Sequence, residues 1–207
     1  MLTYLALGDS YTIGEGVEFE HNFPNQLKNA LQIHFNKEIA PPKIIATTGW
    51  TTDELLNGID NNNLEGQFDF TTLLIGVNNQ YRGYPLNQYA KEFTSLLYKA
   101  ILHTHGGAKN VFVISIPDWG KTPFAVDRDI LKIEKEIAQY NLLKKTITTV
   151  HKAHFIDITP STIQNGNKAA FVVNDQLHYS ALEYKNWVNI IAPYIIQHQD
   201  FKTSINR

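Results

Sequence analysis

Five short apolar runs, separated by stretches with helical spacing, constrain this chain more than any other feature. They fall at residues 4–7, 43–46, 71–75, 111–116 and 154–158. All are rich in β-branched or large apolar residues, lie between turn-forming or polar stretches, and read as buried strands. Leu86, Tyr89, Ala90, Phe93, Leu96, Leu97, Ala100 and Ile101 follow the 3–4 spacing of an amphipathic helix that stops at Gly106-Gly107. Ile130, Ile133, Ile137, Tyr140, Ile147 and Val150 mark another, with Asp127 as its cap. Thr51-x-x-Glu54 and Ser180-x-x-Glu183 fit the capping box that opens a helix. Pro24 suits the first turn of a helix running toward Phe35. In the last helix Tyr184, Trp187, Val188, Ile191 and Ile195 share a face, which Pro193 should kink or shorten.

Strands alternating with helices predict a parallel sheet covered on both faces, a three-layer α/β arrangement. No internal repeat or long linker divides the chain, so residues 1–207 read as one domain, with 201–207 as a frayed tail. In such folds ligands bind beyond the carboxyl ends of the strands. Ser10, Gly49, residues 76–78 and Pro117-Asp118 all follow predicted strands and should gather on one rim.

Composition removes several classes of function. A formal net charge of -2 with 18% charged residues leaves no broad basic field for nucleic acid. No run approaches the roughly 20 apolar residues of a membrane-spanning helix. The absence of cysteine excludes disulfides, thiolate metal sites and a cysteine nucleophile. The first residues have neither the basic start nor the small-residue cleavage site of a secretory signal. That leaves the compartment open between the cytoplasm and a secreted or periplasmic form whose leader has been removed.

Two motifs at opposite ends of the chain carry the chemistry. Gly8-Asp9-Ser10 puts a serine just after the first strand, and Asp175-Gln-Leu-His178 puts an aspartate and a histidine three residues apart. Serine becomes a nucleophile when a base takes its proton, and histidine becomes that base when a carboxylate holds its ring. The three-residue separation lets Asp175 and His178 share one face of a turn. None of the six serines sits in a G-x-S-x-G elbow, so the ordinary α/β-hydrolase pattern is absent. The competing reading of Ser10 is a simple helix cap. Oxyanion donors could come from Gly49, before a capped helix, and from Asn78 in Gly76-Val-Asn78; a turn glycine and a loop-capping asparagine are the alternatives.

Taken in order, Gly-Asp-Ser at 8–10, the isolated glycine at 49, Gly-x-Asn at 76–78 and Asp-x-x-His at 175–178 resemble the SGNH hydrolases, also called the GDSL esterase and lipase family. The blocks span nearly the whole chain. The resemblance implies a flavodoxin-like α/β/α sandwich with a five-stranded parallel sheet. It implies Ser10 as nucleophile, His178 as base and Asp175 as its orienter. The Ser10 amide, the Gly49 amide and the Asn78 side chain would form the oxyanion hole. Two positions depart from the pattern: Tyr11 replaces the leucine of the family's name, and Asn79 stands where Asp is common.

The expected activity is hydrolysis of a small-molecule carboxylic ester, of short or medium acyl chain or an acetylated carbohydrate, with no cofactor and no metal. An acyltransferase using the same site, and a non-enzymatic flavodoxin-like module binding phosphate or flavin at Gly14-x-Gly16, are the alternatives. Asp9 should anchor the serine loop through backbone hydrogen bonds. Trp50, Tyr81, Tyr84, Trp119 and Phe124 follow strand ends, as pocket lining or as core. Arg82 reads as a solvated loop charge or as a contact for an anionic or sugar-like group. His103, His105, His151 and His154 lack a converging carboxylate set for a metal. Oligomeric state is not legible.

Overall fold

The structure is a computed structural model that describes residues 1–199. The tail expected to fray, 201–207, lies outside the described residues. The elements follow in chain order as β1 (Tyr4–Gly8), α1 (Ser10–Ile13), α2 (Phe23–Phe35), β2 (Lys43–Ala46), α3 (Thr52–Asn61), β3 (Phe70–Leu74), α4 (Val77–Tyr81), α5 (Leu86–Leu102), β4 (Val111–Ile114), α6 (Ile130–Val150), β5 (His154–Ile156), α7 (Thr159–Asn165) and α8 (Ala181–His198).

All strand pairs are parallel, and the sheet order is β2-β1-β3-β4-β5. Crossovers between parallel strands are right-handed. The step from β1 to β2 moves one way across the sheet and every later step moves the other. This sends α2 to one face and α3, α5 and α6 to the opposite face. Accordingly α2 packs on α8, while α3 packs on α5 and α5 on α6. The result is the flavodoxin-like α/β/α sandwich. The chain direction reverses at β1, so its carboxyl end and that of β3 form the crevice where this topology binds ligands.

Burial differs between the strands. β1, β3 and β4 are buried throughout. β2 and β5 sit at the sheet edges, and each buries a single residue, Ile45 and Ile156. The expectation of five buried strands is corrected for these two, because an edge strand has a neighbour on one side only. β4 also ends earlier than the apolar run to Ile116. There the Asn141 side chain takes over the pairing, accepting from the Ile116 N–H at 2.8 Å and donating to its carbonyl at 3.0 Å.

Helix ends show where tertiary contacts override local signals. α5 stops at Leu102, before the two glycines, because the chain leaves it to bridge Phe68: Phe68 N–H donates to His103 O and His105 N–H to Phe68 O. Asp129, not Asp127, caps α6 by accepting from Lys132 N–H at 3.0 Å. Thr51 and Glu54 form their capping box. The box expected at Ser180 and Glu183 does not form. Ser180 Oγ donates to Ala170 O, and Glu183 is fully buried, accepting from Ser161, Asn165, Asn186 and Trp187. Pro193 lies inside α8, which continues to His198 and is not shortened. The buried stripe of α6 is Ile133, Ile137, Tyr140, Lys144 and Thr148, whereas Ile130 and Val150 are exposed. Among the described residues no helix is long and apolar enough to cross a membrane.

Candidate active site

The turn after β1 is built around Gly8, where a Cβ would lie 2.0 Å from Thr12 Oγ1 and 2.4 Å from Leu74 O. Only a glycine lets β1 run so close to β3 before turning. Asp9 caps the one-turn helix α1 by accepting from Tyr11 N–H at 3.1 Å, and Ser10 is its first residue, 4% exposed. Asp9 is fully buried and its Oδ2 has no hydrogen-bond partner among the described residues. Burial therefore pushes its carboxyl up to about 7, against the lowering effects of the Tyr11 N–H and of the Lys144 ammonium.

From the other end of the chain, Asp175–His178 forms a self-bonded loop. Asp175 Oδ1 accepts from the N–H groups of Leu177 at 2.8 Å and His178 at 2.9 Å, and Gln176 takes a left-handed φ of 61° to close it. His178 Nδ1 lies 2.6 Å from Asp175 Oδ2, and His178 Nε2 lies 2.9 Å from Ser10 Oγ. Partial burial pulls the Asp175 pKa upward. The bonds from the His178 ring and the two backbone N–H groups outweigh this and hold its carboxyl below the usual range. Two contacts seat this loop against the serine loop. Gly16 takes a φ of 79° and leaves no room for a Cβ, which would meet Val173 Cγ2 at 2.6 Å. The Tyr11 ring lies 5.5 Å from that of His178.

The third segment follows β3. Gly76 turns with a φ of 126°, pressed against the Tyr89 ring, and leads into α4. Asn78 Nδ2 donates one hydrogen to Trp50 O at 2.9 Å, which leaves its second N–H free of any protein acceptor among the described residues. Asn79 is buried, accepting from Thr52 N–H at 3.1 Å and donating to Thr52 Oγ1 at 2.7 Å; that hydroxyl passes its own hydrogen to Glu92. An amide at 79 thus does what a carboxylate cannot, since it donates as well as accepts.

Gly49 sits on the same rim with a φ of 83°, its carbonyl accepting from Arg82 Nη2 at 2.6 Å. Thr48 beside it donates to Glu15. Arg82 also pairs with Glu54 at 3.4 Å, so it braces the Gly49 turn rather than standing as a free loop charge.

Ser10, His178 and Asn78 open onto a pocket of about 180 Å³, walled by Tyr11, Val77, Tyr81, Trp119, Phe124 and Leu177. Gly49 and Asp175 are not among its lining residues. Of the aromatic candidates, Tyr81, Trp119 and Phe124 line it. Trp50 instead packs against Gly58, and Tyr84 contributes its carbonyl to the Tyr140 hydroxyl. Tyr11, Val77 and Leu177 were not anticipated as lining. Their signal was available, since each lies inside or beside one of the motifs. Beyond Tyr81 and Trp119 lies a second cleft of about 410 Å³, carrying Arg128, Asp129, Lys132 and Glu136. Of the four histidines weighed for a metal, His151 Nδ1 lies 2.8 Å from Ile147 O and His154 Nε2 lies 3.0 Å from Lys109 O.

The buried Asp9 carboxyl has a consequence for stability. The native state binds its proton more tightly than the unfolded chain does. Asp9 therefore contributes stability that is complete below pH 3.8 and is lost as pH rises through about 7. The melting temperature of Asp9→Asn relative to wild type should rise between pH 4 and pH 8. A difference that stays flat across that range would show that Asp9 does not titrate in this way.

Residues 6–185 match the model of the GDSL-like lipase/acylhydrolase family. The chain belongs to that family and is a carboxylic ester hydrolase. Among curated protein sequences, none matches it. Solved structures share its fold at low identity. TesA superposes with a TM-score of 0.74 at 16% identity, covering 95% of this chain and 99% of its own. The psychrotrophic esterase EstA from Pseudoalteromonas sp. gives 0.71 at 16%, covering 95% and 100%. Axe2, an acetylxylan esterase from Geobacillus stearothermophilus, gives 0.71 at 17%, covering 97% and 95%.

Proposed function

We propose that this hydrolase works through an acyl-enzyme on Ser10 and acts on esters with a short acyl group and a polar alcohol. The observation that carries the reading is the unbroken chain Ser10–His178–Asp175, at 2.9 and 2.6 Å, opening onto a walled pocket. Ser10 O–H donates to Nε2, and as Oγ attacks the ester carbonyl the proton passes to the ring. Asp175 accepts from Nδ1–H, fixes the tautomer that leaves Nε2 basic, and stabilises the imidazolium. The oxyanion receives the second N–H of Asn78 and the backbone N–H groups of Ser10 and Gly49. His178 then protonates the departing alcohol, and water repeats the cycle in reverse to release the acid from Ser10.

Pocket size supports a short acyl group. Its volume of about 180 Å³ is less than half that of the neighbouring cleft of about 410 Å³. Trp119 and Phe124, edge to face at 6.1 Å, stand in its wall. The neighbouring cleft, with two cationic and two anionic side chains, suits a neutral hydroxylated alcohol better than an alkyl chain. The activity named for Axe2 is in keeping with a sugar ester in that position.

Turnover of p-nitrophenyl esters from acetyl to dodecanoyl tests the reading, with Ser10→Ala as control. Activity should peak at the shortest chains and vanish in Ser10→Ala. A preference for long chains would overturn the acyl-size assignment, and an active Ser10→Ala would overturn the nucleophile.

A further inference from the structure

Lys144 is the one charged side chain on the core stripe of α6, and it is completely buried. Its ammonium donates to Ile114 O at 2.6 Å and to Ile75 O at 3.1 Å. The position of these carbonyls explains the residue. The β3–β4 ladder ends at Leu73↔Val113, so both lie just past the last paired residues, where the strands separate. Backbone carbonyls buried without donors are costly, and Lys144 supplies hydrogens to both from a single nitrogen. The Phe93 ring lies 5.6 Å from Nζ.

A buried ammonium is expensive, and Lys144 offsets that cost through its bonds to the two carbonyls, which an apolar side chain in its place would leave without those hydrogens. Burial drags the Lys144 pKa down to about 7, with the Asp9 carboxylate acting against that fall. Satisfying the two carbonyls is a structural reason for lysine here. The geometry offers a functional one. Ile75 is the residue before Gly76, whose turn delivers Asn78 to the pocket. The Tyr89 hydroxyl also donates to Ile75 O, at 3.3 Å, and its ring presses on Gly76.

We propose that Lys144 is a positioning residue that pins the Ile75–Gly76 turn to β4 and so sets the place of the Asn78 amide. This rests on Asn78 serving as an oxyanion donor. Gln80 already ties α4 to that side, accepting from Trp119 Nε1 at 2.7 Å and donating to Glu136 at 2.8 Å. Lys144 therefore acts on the turn before the helix, where a shift of a few tenths of an ångström moves the donor away from the developing charge. Such a shift weakens transition-state binding and leaves ground-state binding of the ester largely intact.

Lys144→Met is one atom shorter, keeps nearly the volume of the side chain and removes the donors. Lys144→Gln ends one atom short of Nζ, with an amide that offers two N–H donors and an acceptor, and serves if the methionine variant fails to fold, which a melting curve decides. With p-nitrophenyl acetate, the folded variant should lose about tenfold in kcat with KM within twofold of wild type. In an Asn78→Ala background the same substitution should cost less than twofold, because the donor being positioned is gone. A folded variant with wild-type kcat would overturn the proposal, as would an effect on KM alone or full additivity with Asn78→Ala. If Asn78→Ala itself retains wild-type kcat, the oxyanion reading fails first. If Asn78→Ala is impaired and the folded Lys144 variant is not, only the positioning role fails.

Discussion

His178→Ala should lower kcat for p-nitrophenyl acetate on the order of 10⁴- to 10⁶-fold, the range seen when a member of a serine hydrolytic triad is removed. In the proposed mechanism, with the ring gone, Ser10 Oγ loses the group 2.9 Å away that would take its proton, and the leaving alcohol loses its acid. The ring is nine-tenths buried against Tyr11, so the variant also needs a melting curve to show that it folds. Asp175→Asn separates chemistry from packing more cleanly. An asparagine keeps the size of the side chain, but its amide could turn a donor toward Nδ1. The imidazole would then carry its proton on Nε2, facing Ser10, and lose its basicity there. A loss of about 10⁴-fold in kcat is expected on that ground. Near-normal turnover by a folded His178→Ala would exclude the triad. Near-normal turnover by Asp175→Asn would exclude only the orienting role.

How far the sequence disclosed this arrangement depends on how local each feature is. The central strands β1, β3 and β4 were legible because their apolar runs are buried on both faces. The two edge strands were over-read because pairing on one side is not written in their composition. The stripe of α8 was plain, and so was the box at Thr51 and Glu54. The matching pattern at Ser180 and Glu183 misled, because Glu183 serves a buried network with Ser161, Asn165, Asn186 and Trp187 that only the packing of α7 on α8 brings together. The approach of Ser10 to His178 spans 168 residues, and no spacing rule reports that distance. Lys144 left a faint trace, standing at the i+4 position after Tyr140 on an otherwise uncharged stripe. The departure at Asn79 becomes intelligible only beside Thr52, which gives an amide there two bonds to make.

Asn78→Ala should lower kcat by about 10²- to 10³-fold while changing KM little, since losing one oxyanion donor costs roughly 2.7–4 kcal/mol of transition-state stabilisation. The split between the two constants is the informative quantity. A neutral ester carbonyl asks little of the amide, whereas the tetrahedral oxyanion asks for a full hydrogen bond. The alanine also leaves Trp50 O without the hydrogen that Asn78 now donates at 2.9 Å, so a modest loss of stability should accompany the kinetic effect. Asn78→Asp sharpens the test. It has the same shape, but a carboxylate offers no hydrogen to the oxyanion and repels it, so its kcat should fall below that of the alanine variant. If Asn78→Ala instead raises KM and spares kcat, the side chain binds substrate in its ground state, and the oxyanion would have to rely on the backbone N–H groups of Ser10 and Gly49.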